Sequence, residues 1–197
     1  MLCEPKVLSM DEKLNVLGLV GSLRSGSYNK ALMRNAMKLL PEGLTLKVFE
    51  ISEFPLFNQD LELTPPEVVK KFKAEIRNAD AVLIASPEYN YSIPGVLKNA
   101  IDWASRPFGD NAFDEKPVAV MSASTGKLGG ARMQYHLRQV FVYLNVYTIN
   151  RPEFMLSGAV ACFDSEGNLT DEETRSRLKR LIEALARFAQ ELKERPT

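Results

Sequence analysis

Cysteine and histidine are scarce in this chain: two cysteines and one histidine among 197 residues. Cys3 and Cys162 stand far apart, so no structural disulfide is expected, which suits a reducing compartment. A zinc site of Cys and His ligands is excluded by number, and no bound metal is expected. Neither sign of charge is in excess, since 25 basic and 25 acidic residues cancel to net zero. A nucleic-acid binder carries a basic surplus, and a carrier that docks on basic partners carries an acidic one; neither is present. Long hydrophobic runs are missing too, and nothing approaches the roughly 20 apolar residues that span a bilayer. Residues 1–13 lack the basic start and apolar stretch of a signal peptide. They read as a flexible tail, and the expected location is cytoplasmic, with neither membrane nor nucleic acid as partner.

What is present is 45% hydrophobic residues in short, regularly placed groups. Residues 14–20 form an apolar run stopped by Gly21, the pattern of a strand buried on both faces. Similar runs cover 44–51, 80–86, 118–123 and 146–149, the last with an extension beyond Pro152 at 154–156. Between them, apolar residues recur at helical spacing: Leu32 and Ala36; Val69, Phe72, Ile76 and Ala79; Leu97, Ala100, Ile101 and Ala104; Met133, Leu137, Val140 and Leu144. A last helix uses Leu178, Leu181, Ile182, Leu185, Phe188 and Leu192. Thr64 to Glu67 and Thr170 to Glu173 each read as a capping box at a helix start. The alternation predicts one α/β domain over 14–197, a doubly wound five-stranded parallel sheet with helices on both faces. Residues 105–115 read as a surface loop whose Pro107, Phe108 and Phe113 await burial by a neighbouring chain.

In such a fold ligands bind beyond the carboxyl ends of the strands. Three loops there are unusual. The first, Gly21-Ser22-Leu23-Arg24-Ser25-Gly26-Ser27-Tyr28-Asn29, leads from strand to helix. Short polar side chains, backbone N–H groups at a helix start and one guanidinium suit a single phosphate; a Ser-rich turn that caps the helix is the plainer reading. It matches neither the Walker loop nor G-x-G-x-x-G. The second runs from Ser86 through Pro87-Glu88-Tyr89-Asn90 to Pro94-Gly95. It is stiff, aromatic and polar, fit for a heteroaromatic edge, with Ser92 as an alternative helix cap. The third, from Ser122 to Ala131, carries Ser124, Gly126, Gly129 and Gly130, and lets backbone approach a flat ligand. Trp103 reads as packing. His136 reads as structural or surface, and Arg132, Tyr135 and Glu153 are left without a role.

The set G-S-L-R-x-x-S-x-N, P-E-Y-N-x-S-x-P-G-x-L-K-N-A-I-D-W and S-x-x-x-G-x-x-G-G resembles the NADPH-dependent FMN reductase family, which includes quinone, chromate and azo-dye reductases of flavodoxin-like fold. The resemblance runs in order from residue 14 to 154. It implies an enzyme that binds FMN and takes electrons from NADPH or NADH. The acceptor would be a quinone, azo dye, metal oxyanion or free flavin, met in ping-pong fashion. It assigns the FMN phosphate to Ser22, Arg24, Ser27 and Asn29. Pro87, Glu88, Tyr89 and Asn90 would border the isoalloxazine ring. Ser122, Ser124, Gly126, Gly129 and Gly130 would face its pyrimidine side, where backbone N–H groups offset the charge of the reduced ring. No side chain need act as acid or base, so no catalytic residue is nominated. A homodimer or homotetramer is implied. The alternative is a non-enzymatic FMN electron carrier or redox sensor.

Overall fold

The computed structural model describes residues 13–195, so Cys3 and all of the N-terminal tail but Lys13 lie outside the described residues. The elements run β1 (Leu14–Val20), α1 (Tyr28–Lys38), β2 (Leu44–Phe49), α2 (Glu67–Asn78), β3 (Ala81–Ala85), α3 (Gly95–Ala104), β4 (Pro117–Ala123), α4 (Ala131–Tyr143), β5 (Tyr147–Thr148), β6 (Phe154–Leu156) and α5 (Glu172–Lys193). The sheet order is β2-β1-β3-β4-β5, every pair is parallel, and β6 also pairs with β4. Helices α1 and α5 cover one face, where Leu32, Met33 and Ala36 meet Leu178, Leu181 and Leu185. Helices α2, α3 and α4 cover the other through Phe72, Ile76, Leu97, Ile101, Leu137 and Phe141. Strands β3 and β4, enclosed on both faces, are buried at every residue. Their unbroken apolar runs follow from that position.

Four local expectations are corrected. The fifth strand is split: β5 pairs with Pro117 and Val118, and β6 with Met121, Ser122 and Ala123, on the same edge of β4. Pro152 lies between them and has no N–H to give the ladder. Thr64 does not cap α2. The helix follows Pro66, whose side chain makes no capping bond, because each proline holds the residue before it extended. Asp171, not Thr170, caps α5, accepting from the Thr174 N–H at 2.7 Å. Phe113 does not await a partner: it is fully buried among Phe72 and Phe141. Phe108, by contrast, is exposed. Trp103 is packing, as expected, with its indole N–H donated to Pro55 O at 2.9 Å.

Candidate functional site

The strand order reverses between β1 and β3, so the loops after them leave in opposite directions and open a crevice at their carboxyl ends. Gly21 brings the two loops together. Its N–H donates to Ala85 O at 2.9 Å, and a Cβ there would collide with Ser86. The crevice is a cavity of about 160 Å³ walled by all three loops, including Ser22, Arg24, Ser27, Pro87, Tyr89 and Ser124. Among the described residues neither His nor Cys lines it.

Loop 1 is poised for an anion. Ser22 is 3% exposed, and its hydroxyl meets no hydrogen-bond partner among the described residues. The same holds for the N–H groups of Ser22, Leu23, Arg24, Ser25 and Gly26 and for the Arg24 guanidinium. Several unpaired donors lie together beside the start of α1, an arrangement whose chemistry suits an anion. Ser27 has a defined second duty. Its Oγ caps α1, accepting from the N–H groups of Asn29 (3.2 Å) and Lys30 (3.4 Å). The helix-cap reading of this segment therefore holds for Ser27.

Asn29 is placed differently from its expected role. Its amide is buried and engaged in a pair of bonds with Ala123, from Nδ2 to O and from N–H to Oδ1, both 2.9 Å. It fastens loop 1 to loop 3, and the residue also lines the crevice. Glu88 lines the crevice, but its carboxylate turns away to α4, accepting from the N–H groups of Arg132 (3.1 Å) and Met133 (3.3 Å). Ser122 is fully buried, donates to Gly129 O at 2.5 Å and accepts from Gln134. It braces loop 3 from below.

Two glycines of loop 3, Gly129 and Gly130, are also required by packing within the chain. At Gly129, with φ +59°, a Cβ would lie 2.9 Å from the carbonyl carbon of Met155; at Gly130, with φ +90°, it would meet Ser122 at 2.8 Å. The close approach they permit is to the protein's own β6 and β4. The N–H groups of Lys127, Leu128, Gly129 and Gly130 nonetheless make no hydrogen bond among the described residues. Gly126 donates to Ser124 Oγ at 3.1 Å, and Asn90 is exposed at the turn of loop 2. Sequence reasoning missed Tyr28, Ala123 and Thr125 as lining residues. Tyr28, stacked on Phe163 at 5.6 Å, was a variable position within the first motif. His136 is bonded to Ser92 Oγ at 2.7 Å, so Ser92 serves α4 rather than capping α3.

A cleft at the switch point of a flavodoxin-ordered sheet, with an anion nest on one side and an aromatic hairpin on the other, defines a mononucleotide-binding flavodoxin-like protein. The model of the NADPH-dependent FMN reductase family matches residues 14–161, and the chain belongs to that family. It is 48% identical over 185 residues to an NAD(P)H-dependent FMN reductase of Pseudomonas aeruginosa, covering 93% of this chain and 100% of that one. It is 49% identical over 187 residues to an NAD(P)H:quinone oxidoreductase of Solanum tuberosum, covering 91% and 95%. Among solved structures it matches FerB, a flavoenzyme NAD(P)H:(acceptor) oxidoreductase from Paracoccus denitrificans. The TM-score is 0.84 at 36% identity, over 90% of this chain and 98% of that one.

Proposed function

We propose that this protein is an FMN-dependent NAD(P)H oxidoreductase that passes electrons to quinones. The observation that carries the reading is the set of unpaired donors on loop 1, with the cleft-lining Ser22 hydroxyl among them. They match a terminal phosphate, and the residues present fit FMN. Ser22, Arg24 and the 22–26 backbone would hold the phosphate, and Ser27 would hold the loop itself. Pro87, Tyr89 and Asn90 would border the ring, and the free N–H groups of 127–130 would face its electron-rich edge. Bound FMN supplies hydride acceptance from the nicotinamide and redelivery to the acceptor. The chain's part is binding, orientation and charge compensation. Quinone is favoured as acceptor because relatives from a plant and from Pseudomonas putida carry that activity in their names.

The nicotinamide and the acceptor would use one open face in turn, which gives ping-pong kinetics. Double-reciprocal plots of NADPH oxidation at several quinone concentrations should be parallel. Intersecting lines would refute the shared face, and no turnover above background by FMN-loaded protein would refute the enzyme in favour of a carrier or sensor. The cavity of about 160 Å³ lies below the roughly 300 Å³ of a pocket that encloses a small ligand.

A further inference from the structure

Loop 2 contains a hairpin whose sequence departs from what its backbone favours. Tyr89 N–H donates to Ser92 O at 3.1 Å, and Ser92 N–H to Tyr89 O at 2.9 Å. The two residues between, Asn90 and Tyr91, sit at φ +49° and +65°. That is the signature of a type I′ turn, for which Asn-Gly is the favoured pair. Asn90 suits the first position. Tyr91 occupies the glycine position, where its Cβ carries the left-handed penalty. Burial does not offset it, since Tyr91 is 68% exposed. Among the described residues its ring has one close contact of note, the Arg132 guanidinium at 3.5 Å from the ring centroid.

Arg132 is itself held from loop 2. Its guanidinium pairs with the Glu88 carboxylate, whose side chain is 7% exposed. The same carboxylate accepts the N–H groups of Arg132 and Met133 in the first turn of α4. Gly130, the residue at the cap position, has no side chain to offer, so α4 takes its cap from loop 2. One turn further along α4, His136 binds Ser92 on the far side of the hairpin.

We propose that Tyr91 and Arg132 are positioning residues for the flavin. With Glu88 they clamp the 87–92 hairpin to α4, so the Pro87–Tyr89 wall of the cleft has its bound geometry before the ring arrives. The proposal rests on the reading of the cleft as a flavin site. It explains a tyrosine at a glycine position: the side chain stacks on Arg132 and thereby couples the hairpin to the helix. The clamp acts on the ring and not on the phosphate, so its loss weakens FMN and riboflavin alike.

The experiment compares Tyr91→Gly, Tyr91→Phe and Arg132→Lys with wild type. Four readouts apply: melting temperature, hydrogen exchange of the 88–93 amides in apoprotein, fluorescence titration with FMN and with riboflavin, and the visible spectrum of the bound flavin. Tyr91→Gly should melt at or above the wild-type temperature, because glycine is the favoured residue there. It should still exchange its loop amides at least tenfold faster, bind both flavins about tenfold more weakly, and shift the flavin band. Tyr91→Phe, which keeps the ring, should restore wild-type values. Arg132→Lys, which keeps the charge and loses the planar fork, should resemble Tyr91→Gly in amide exchange, flavin affinity and flavin band, but melt below wild type because the strained Tyr91 remains. Wild-type exchange and flavin affinity in Tyr91→Gly would overturn the proposal, as would full function in Arg132→Lys. If wild-type apoprotein bound neither flavin, the proposed function would fail instead, and the exchange rates would still decide whether the clamp exists.

Discussion

Arg24 and Ser27 lie three residues apart on one loop, and they should fail differently. Arg24 is exposed and has no partner among the described residues, so its removal leaves the fold intact. Arg24→Ala should remove one charge-assisted contact, costing about 2 kcal/mol, or roughly thirtyfold in FMN affinity. Riboflavin, which lacks the phosphate, should bind as before. Ser27→Ala should also lose FMN affinity, but it removes the α1 cap as well, at about 1 kcal/mol of stability. Fluorescence titration with both flavins beside a melting curve separates the two. Equal losses for FMN and riboflavin in Arg24→Ala would make that residue structural. That the three loops meet at one crevice was legible in the sequence, because a doubly wound sheet gathers the loops at the carboxyl ends of its strands. Side-chain direction was not. Asn29 turns to Ala123 and Glu88 to α4 because another loop offers each a better partner. No spacing within one motif records that.

At the scale of elements, strands and helices were readable where burial is two-sided or periodic, and their ends were not. The ends depend on proline sterics at 65–66, on Asp171 competing with Thr170, and on Pro152 breaking an edge strand. The 105–115 segment was read as a surface loop, yet it is tied to α2 by ions that no local pattern announces. The Lys73 side chain is 5% exposed, and its ammonium meets Asp110 at 2.5 Å together with Arg106 O, while Arg77 also pairs with Asp110. The hydrogen bond from Lys73 chiefly holds the Asp110 carboxyl below its ordinary value, against the opposing effect of burial. A carboxylate with a depressed folded pKa stabilises the fold above its unfolded pKa, and that contribution is lost as pH falls through the folded value. Asp110→Asn should therefore destabilise at pH 7, by about 2 kcal/mol, less than for a fully buried pair because Asp110 is half exposed. The gap between variant and wild type should narrow as pH falls below the usual carboxylate range near 4. Denaturant melts of both proteins across pH 2.5–7 check this, and a gap independent of pH would remove the ion pair from the account.

At the scale of the whole molecule, several large apolar side chains are left exposed in the single chain. Leu56, Leu63, Phe108, Val142 and Tyr143 are each at least 80% exposed. A groove of about 490 Å³ beside α3 and α4 is lined by Phe57, Ile101, Val140, Tyr143 and Leu144. Scattered apolar residues need no explanation, but Tyr143, 80% exposed, belongs to the groove itself, and we propose that the groove is a contact surface. The occupant we favour is a second copy of this chain. Formal net charge is zero, so two copies meet without general repulsion. The charged groups at the groove, Lys98 with Asp102 and Arg106 with Glu62, are already paired within the chain. Such a surface can pack on itself about a twofold axis without stranding a charge. The loop prolines and phenylalanines first pointed to association, and Phe108 alone among those phenylalanines is free to take part. Light scattering at micromolar concentration should give a dimer or a multiple of it. Replacing Val142 and Tyr143 together by glutamate should weaken association at least a hundredfold, since two anchors are lost at about 1.5 kcal/mol each. Circular dichroism should be unchanged, because both side chains are solvent-facing in the single chain. If the cleft draws on the partner, the monomeric variant should also bind FMN more weakly than wild type. A monomeric wild type would refute the assembly, and a monomeric variant with full FMN affinity would show that one chain makes the whole site.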